Sequence, residues 1–296
     1  MKSIVSYPNR GPWGNPRYRG NCSGHLVADL VREFHPQRLV DPMLGGGTSQ
    51  DVCRDLQVSF WGSDLREGFD LTADDIPVAF DFGFLHPPYH FIVRYSGDMW
   101  GSEPDPLDLS QCASYDEFLH KLDTATFNLY DALRGGGTLA VLVGDVRKNG
   151  VLYPISRDAR WFGEPIAEII KVQHNVMSAS KTYSGRFIEL AHEYLVLTRK
   201  PRGWNISVRV TTLACVDLAA QTWRNIVQTA LEVLGKGAHT LADIYRAVAN
   251  HPRVRDAQRR RQDWQAKVRQ TLQRYGQVFQ STERGAWQLS PIGGAV

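Results

Sequence analysis

Cysteine is scarce and scattered in this 296-residue chain. The four cysteines are Cys22, Cys53, Cys112 and Cys215, and no two of them form a CxxC pair. The sequence therefore argues against a zinc site built on cysteine, and we expect no metal. A chain of this length can bury a sizeable core without disulfides. Scattered thiols fit a reducing compartment, so we expect the protein to be cytoplasmic.

Long apolar runs and a strong net charge are also missing. No run approaches the roughly 18 apolar residues of a membrane helix, and the N-terminus has no apolar segment typical of a signal peptide. We expect no membrane partner. The 34 basic and 31 acidic residues leave a net charge of +3, and 43% hydrophobic with 22% charged residues is an ordinary globular composition. This composition excludes disorder, collagen and coiled coil for the bulk of the chain, and leaves the oligomeric state open.

Short apolar runs alternate with helical patterns along the first two thirds of the chain. A helix is predicted after the Gly- and Pro-rich residues 1–24, with Ser23 as its cap and Pro36 at its end. Further helices are predicted over 48–56, 115–134 and 153–163. Strands are predicted over 38–43, 58–64, 79–85, 137–146, 167–176 and 192–200. This alternation predicts an α/β fold with a mostly parallel sheet covered by helices on both faces.

The alternation of short apolar runs and helical patterns ends at about residue 203. We predict a domain over residues 1–203, a linker over 204–218 and a second domain over 219–296. The second domain has three predicted helices, one of them opened by a Thr240–Asp243 capping box, and a β-hairpin around residues 283–285. Three helices and a hairpin favour a winged helix-turn-helix. A small helical interaction module is the alternative.

Residues 41–48 (DPMLGGGT) join the first predicted strand of the sheet to a helix. Three glycines allow the backbone to approach a ligand closely, and a helix N-terminus offers free N–H groups. Asp64 ends the next predicted strand, where an acidic residue can accept hydrogen bonds from both ribose hydroxyls. The spacing of the loop is neither that of the phosphate-binding GxxxxGK[ST] motif nor that of GxGxxG. The position of this loop and of Asp64 at strand ends predicts an adenosine-containing cofactor. An ordinary glycine turn is the alternative.

Residues 86–89 (HPPY) follow the apolar strand predicted over 79–85. Two consecutive prolines fix the backbone and remove two N–H donors, which leaves carbonyl groups free to accept. Tyr89 adds a flat face beside them. This combination suits a planar base with an exocyclic amino group, although a rigid loop with a packed tyrosine would give the same pattern.

The order of these motifs resembles the S-adenosylmethionine-dependent amino-methyltransferases of DNA, over about residues 9–200. That family has a DPFxGxGT-like loop, an acidic second-strand end, and Asp, Asn or Ser before Pro-Pro-Tyr. The segment 20–25 resembles the motif that touches the methionine end of the cofactor. The resemblance implies a class I, Rossmann-like methyltransferase domain with the gamma-type motif order, and a role in DNA methylation and restriction–modification. Its implied catalytic residues are His86, Pro87, Pro88 and Tyr89. Its implied cofactor-binding residues are Asn21, Ser23, Asp41, Pro42, Met43, Gly45, Gly47, Thr48, Asp64 and Leu65.

Two positions depart from the family pattern. Met43 replaces the usual Phe and His86 replaces the usual Asp, Asn or Ser. The resemblance implies methyl transfer to the amino group of a flipped base in duplex DNA. N6 of adenine is favoured because the Ser-Pro-Pro-Tyr form more typical of cytosine enzymes is absent. N4-cytosine methylation, RNA amino-methylation and a catalytically inactive DNA-binding regulator are the alternatives. The resemblance also implies that residues 144–150 line the base pocket, and a charged loop at a strand end is the alternative.

Positive charge is concentrated near the C-terminus. Residues 253–274 carry eight basic and two acidic side chains, a net charge of +6. Basic residues on and before the last predicted helix suit phosphate contacts and groove entry, whereas a solvated charged face is the alternative. The predicted duplex-DNA-binding residues are Arg253, Arg255, Arg259, Arg260, Arg261, Lys267, Arg269 and Arg274.

Overall fold

The computed structural model describes residues 1–91, 104–174, 188–202, 221–283 and 285–292. The predicted linker, 204–218, and Cys215 lie outside these residues. The described helices are α1 (Gly24–Phe34), α2 (Thr48–Asp55), α3 (Tyr115–Ala132), α4 (Ile155–Asp158), α5 (Trp223–Leu234), α6 (Leu241–Val248), α7 (Pro252–Arg259) and α8 (Trp264–Arg274). The strands of the first part are β1 (Ile4–Ser6), β2 (Arg38–Asp41), β3 (Ser59–Gly62), β4 (Phe82–Leu85), β5 (Thr138–Val143), β6 (Val146–Lys148), β7 (Val151–Tyr153), β8 (Glu164–Val172) and β9 (His192–Arg199). Those of the second part are β10 (His239–Thr240), β11 (Phe279–Glu283) and β12 (Ala286–Leu289).

Seven strands form the main sheet in the order β1-β8-β9-β5-β4-β2-β3. β9 runs antiparallel to both of its neighbours, and the other four pairings are parallel. Successive residues of the central strands point to opposite faces. Leu39 and Ala140 pack with α1 and α2 on one face, whereas Val40 and Val141 pack with α3 on the other. The prediction of a Rossmann-like α/β fold with a mostly parallel sheet is confirmed.

Several predicted boundaries were wrong. The Gly- and Pro-rich composition of residues 1–24 favours irregular backbone, yet β1 pairs with β8 at the sheet edge. Three residues are too few for an alternation of apolar and polar side chains to be recognised. The helix predicted over 153–163 is only the single turn α4, and the strand predicted over 137–146 ends at Val143. Ser23 occupies the N-cap of α1, but its hydroxyl group donates to the Asn9 and Arg10 carbonyls rather than capping the helix.

The C-terminal part contains four helices among its described residues, not the three predicted. The additional helix, α7, was missed because it is short and buries only Val254 and Ala257. β10, β12 and β11 form a small antiparallel sheet in that order. The hairpin predicted around 283–285 is therefore present as β11 and β12, and one further strand, β10, joins it.

The C-terminal part is attached to the sheet domain through buried polar groups. The guanidinium group of Arg224 on α5 donates to the carbonyl oxygens of Ala132 (3.1 Å) and Val78 (2.8 Å). Asn225 donates to the Asp131 carboxylate at 2.8 Å. Arg224 is only 1% exposed, so these bonds are shielded from water. We expect the two parts to unfold together, because their separation would break these buried hydrogen bonds.

We predict that Arg224→Ala lowers the free energy of unfolding by about 2–4 kcal/mol, because two buried carbonyl groups lose their donor and a cavity remains. Urea unfolding of the full chain measures this change. Arg255→Ala removes an exposed arginine of α7 and should stay within about 0.5 kcal/mol of the wild type. Equal stability of the two variants would show that the Arg224 contacts contribute nothing.

Candidate active site

Three neighbouring strands end at the same edge of the sheet and build one pocket. Asp41 ends β2, Asp64 lies two residues beyond β3, and His86 directly follows β4. β4, β2 and β3 are adjacent and parallel, so their carboxyl ends meet at this edge. The space at this edge amounts to about 690 Å³, part of which is open to solvent. Its position is that of ligand sites in doubly wound sheets.

Most of the predicted site residues line this pocket. They are Asn21, Asp41, Met43, Gly45, Thr48, Asp64, Leu65, His86 and Pro88. Ser23, Pro42, Gly47, Pro87 and Tyr89 are not in its lining. Pro42 and Gly47 shape the loop instead, and Pro87 and Tyr89 belong to the turn after β4. Their assignment to cofactor binding and catalysis remains a prediction.

The glycine loop has the conformation that its sequence requires. Gly45 and Gly47 have φ angles of 52° and 79°, in the left-handed region that favours glycine. The Gly45 N–H group donates to Asp64 Oδ2 at 2.9 Å. Asp64 therefore holds the loop in place as well as lining the pocket, a role that the sequence did not reveal.

Asp41 is a buried acid at the floor of the site. Its carboxylate accepts from the Ser49 hydroxyl group and from the Met43 N–H at 3.1 Å. Burial raises the pKa of Asp41 to about 7, although these two donors oppose the shift, and the nearby charge of Asp64 adds to it. The proton affinity of this group is therefore sensitive to any charge that enters the pocket.

The irregular N-terminal segment closes one side of the site. The Asn15 N–H donates to the Gly46 carbonyl at 2.7 Å. A Cβ atom at Gly46 would lie 2.4 Å from Asn21 Oδ1, so any other residue here would displace the Asn21 side chain. Tyr18 also lines the pocket. The sequence predicted a contribution from Asn21 but not from Tyr18, because no local pattern indicates which loop residues fold onto another loop.

The turn after β4 is held by a buried polar chain. The Tyr89 hydroxyl group donates to Glu193 Oε1 at 2.8 Å and lies 2.9 Å from His86 Nε2. Lys171 Nζ donates to Glu193 Oε2 at 2.5 Å. Burial lowers the pKa of His86 to about 4, even though the charge of Glu193 opposes the shift. His86 is therefore a neutral imidazole at physiological pH, and it has one acceptor nitrogen.

Sequence reasoning missed Glu193, Lys171 and the pocket-lining pair Asp108 and Leu109. No local pattern singled out the first two, because β8 and β9 each carry other charged residues as well. Asp108 caps a single turn of 3-10 helix by accepting from the Ser110 N–H, as Asp64 does through the Arg66 N–H. The loop 144–150, predicted to line the base pocket, contributes no residue to the lining of this pocket, and most of it forms the β6–β7 hairpin.

The predicted DNA-binding residues lie on α7, on α8 and between these helices. All of them except Arg253 are exposed. Arg253 is half-buried, donates to the Gln221 carbonyl group and lies over the Trp223 ring at 5.6 Å. Its guanidinium group therefore has a structural role, and its assignment as a phosphate contact remains a prediction. Arg259 and Arg260 both pair with Asp256, at 3.7 and 2.9 Å, which reduces the net charge that these two contribute.

The described ranges contain neither a metal-ligand cluster nor a membrane-spanning helix. No group of three or more His, Cys, Asp or Glu side chains there could hold a metal ion. Of the helices described, none is both long and apolar enough to cross a bilayer.

Comparison with known proteins gave structural matches alone. No protein-family model matches the chain, and no curated protein matches it. TTHA0409 of Thermus thermophilus, provisionally assigned as a DNA modification methylase and complexed with S-adenosyl-L-methionine, is 20% identical with a TM-score of 0.31. That match covers 59% of this chain and 59% of TTHA0409, so the chain spans less than two thirds of that protein.

Two other matches are similarly distant. TrmN from Thermus thermophilus is 13% identical with a TM-score of 0.34, over 62% of this chain and 50% of TrmN. The N-methyltransferase NodS from Bradyrhizobium japonicum WM9, in complex with S-adenosyl-L-homocysteine, is 10% identical with a TM-score of 0.33, over 60% of this chain and 85% of NodS. Similarities at this level do not establish the activity of the chain.

We predict that Asp41 makes the stability of the ligand-free protein depend on pH. Its pKa of about 7 in the folded state exceeds the usual value of about 4. Its stabilising contribution is therefore complete below about pH 4 and is lost as the pH rises through about 7. When the pH rises from 5 to 8, the free energy of unfolding of the wild type should fall by about 1–3 kcal/mol more than that of Asp41→Asn.

Urea unfolding at both pH values measures the difference. Asp116→Asn removes an exposed carboxylate at the start of α3 and should keep the wild-type pH dependence. An Asp41→Asn variant with the same pH dependence as the wild type would show that Asp41 ionises normally in the folded protein.

Proposed function

We propose that this protein is an S-adenosylmethionine-dependent methyltransferase acting on the exocyclic amino group of a base in duplex DNA, with N6 of adenine as the target. The observation that carries the proposal is the meeting of the glycine loop, Asp64 and His86 around one pocket. The three elements have separate sequence signals and share one sheet edge. An adenosyl cofactor and an acceptor for an amino group would therefore be adjacent.

The pocket offers the contacts that S-adenosylmethionine needs. Asp64 is a buried carboxylate suited to the ribose hydroxyl groups, and the flanking Leu65 supplies an apolar contact. The glycine loop permits close approach of the methionine part, and Asn21 offers an amide beside it. Asp41 provides negative charge near a cofactor that carries a sulfonium and an ammonium group.

His86 and the Pro87 carbonyl group are the proposed acceptors for the target amino group. The lone pair of an aromatic amino group is conjugated into its ring, so acceptors that bind its hydrogens favour a pyramidal, nucleophilic nitrogen. The base must leave the duplex to reach such a pocket, at a cost of a few kcal/mol for unstacking. Holding the nitrogen in line with the methyl group supplies much of the rate enhancement.

The C-terminal part is the proposed duplex-binding module, a winged helix-turn-helix. Support comes from its order of elements, in which α5, β10, α6, α7 and α8 precede the β11–β12 hairpin. Exposed basic residues are concentrated on α7 and α8, where they can reach phosphates. This part also packs on the sheet domain through the buried hydrogen bonds of Arg224, which favours a fixed geometry between DNA reading and catalysis.

Methyl incorporation tests the proposal directly. Duplex DNA, single-stranded DNA and RNA are incubated with the protein and methyl-labelled S-adenosylmethionine, and the nucleosides are analysed by mass spectrometry. We expect labelled N6-methyladenine from duplex DNA. Labelled N4-methylcytosine would change the target base, label in RNA alone would change the substrate, and cofactor binding without label would indicate an inactive regulator.

We predict that Asp64→Asn weakens S-adenosylmethionine binding about 10- to 100-fold, because a neutral amide replaces the charged acceptor of the ribose hydroxyl groups. Titration calorimetry measures the affinity. Thermal unfolding checks that the variant keeps the stability of the wild type, because Asp64 also accepts a hydrogen bond from the Gly45 N–H group of the glycine loop. Glu67→Gln, three residues away and exposed, is the matched control. Wild-type affinity in Asp64→Asn would remove Asp64 from the cofactor site.

We predict that Arg255→Ala and Arg261→Ala each weaken duplex binding by a similar factor for every sequence tested. Each should reduce the slope of log affinity against log salt by about 1, because one phosphate contact is lost. Binding at several salt concentrations measures this slope. Arg32→Ala, an exposed arginine on α1, should leave it unchanged, and equal slopes for all three variants would place DNA elsewhere on the protein.

A further inference from the structure

Glu193 lies at the centre of the polar chain behind the pocket. It occupies the amino end of β9, directly opposite Lys171 of β8 in the strand register. Its side chain is 7% exposed and that of Lys171 is 11% exposed. Because β9 is antiparallel to β5, its amino end lies at the edge where the parallel strands end. Burying an ion pair costs free energy, because two charges lose water, unless both have further hydrogen-bond partners.

The charge on Glu193 determines the direction of the hydrogen bonds. Burial alone would raise the pKa of Glu193, but the charge of Lys171 and the hydrogen bonds from Lys171 and Tyr89 outweigh it, and the pKa of this carboxyl group lies below its usual value. An ionised carboxylate only accepts hydrogen bonds. The Tyr89 hydroxyl group must therefore donate its single proton to Glu193 Oε1.

The Tyr89 oxygen can then only accept from His86. The contact between this oxygen and His86 Nε2 is 2.9 Å, so the proton of the neutral imidazole must be on Nε2. The lone pair is then on Nδ1, which has no hydrogen bond within the described part of the chain. The tautomer of a histidine is set in this way by the partner of its other nitrogen.

We propose that Glu193 is a positioning residue which, through Tyr89, holds His86 as the Nε2–H tautomer and so presents Nδ1 as the acceptor for the amino group that is methylated. This inference rests on the proposed function and extends it to two residues outside the recognised motifs, Glu193 and its ion-pair partner Lys171. Tyr89 acts here through its hydroxyl group.

Close packing at Gly144 makes the chain of contacts feasible. Gly144 follows β5, and a Cβ atom there would lie 2.9 Å from Tyr89 Cε2 and 3.4 Å from Glu193 Cγ. A side chain at this position would push the Tyr89 ring away from Glu193. Glycine is thus required where β5, β9 and the turn after β4 come together.

The same arrangement accounts for the proton released in the reaction. As the amino nitrogen forms its bond to the methyl carbon, the carbon–sulfur bond breaks and its electron pair remains on sulfur. The displaced N–H proton passes to His86 Nδ1 and then to water. The transient imidazolium ion has Glu193 Oε1 at 4.0 Å from Nε2, and this carboxylate stabilises it, whereas Lys171 opposes it. The charged groups that act on His86 from behind the pocket are Glu193 of β9 and Lys171 of β8, and Tyr89 lies in the same turn. Asp41, Asp64 and Asp108 line the pocket that His86 also lines.

The tautomer can be measured without any methyl transfer. In protein labelled with 15N-histidine, long-range 1H–15N spectra show which ring nitrogen carries the proton, and His86→Asn identifies the His86 signals among the nine histidines. At pH 7 we expect the proton on Nε2 in the wild type and a mixture of tautomers in Glu193→Gln. A wild-type proton on Nδ1 would overturn the inference.

Kinetics provide the second readout. With duplex DNA and cofactor both saturating, Glu193→Gln should lower kcat about 10- to 100-fold, the range seen when the outer partner that orients a histidine is removed. KM should change little, because Glu193 touches neither substrate. The acid limb of the pH–rate profile should move to lower pH, since the carboxylate that favours the imidazolium is gone. Glu168→Gln, an exposed carboxylate on β8, should behave as the wild type.

A double variant covers the case in which Glu193→Gln fails to fold. Lys171→Met with Glu193→Gln removes both charges together and leaves neither ion unpaired. The inference predicts mixed tautomers and a reduced kcat here as well. Wild-type kcat together with a pure Nε2–H tautomer would contradict it. A wild-type protein that binds the cofactor but transfers no methyl group would instead refute the proposed function and leave the tautomer result standing.

Discussion

The site depends on one constraint, which is that the parallel strands β2, β4 and β3 end together at one edge of the sheet. Asp41, Asp64 and His86 are distant in sequence but become neighbours because each lies at or just past one of these strand ends. The Gly45 N–H bond to Asp64 ties two of these ends to each other. Any ligand that fills the pocket therefore contacts elements from three separate βα units at once.

The antiparallel strand β9 adds a second layer behind the pocket. Its reversed direction places Glu193 at the same edge, although this residue belongs to no recognised motif. The ion pair with Lys171 keeps the buried Glu193 carboxylate charged. Because the Tyr89 hydroxyl group donates to this carboxylate, its oxygen accepts from His86 Nε2. Under the proposed function, the position that holds Asp, Asn or Ser in the DNA amino-methyltransferases would have an acceptor whose orientation depends on a neighbouring strand. An amide or hydroxyl needs no such support, because it does not have to select a tautomer.

The sequence predicted the features that depend on local patterns. Continuous apolar runs such as residues 137–143 indicated buried strands, and the glycines of residues 45–47 indicated a close approach of backbone. Features that depend on long-range register were missed. Lys171 and Glu193 are partners only because β8 and β9 pair in one register, and Arg224 is buried only because α5 packs on α3. Short elements such as β1 were also missed, since three residues carry too little periodicity to be recognised.

The crystal structure of the full chain with S-adenosylhomocysteine is the most direct test of this account. The ribose hydroxyl groups should lie within hydrogen-bond distance of the Asp64 carboxylate, with the sulfur atom directed towards His86 and the Glu193–Tyr89–His86 contacts intact. Binding of the ligand at another place, or in this pocket with its ribose remote from Asp64, would contradict the assignment of the pocket to a methyl donor.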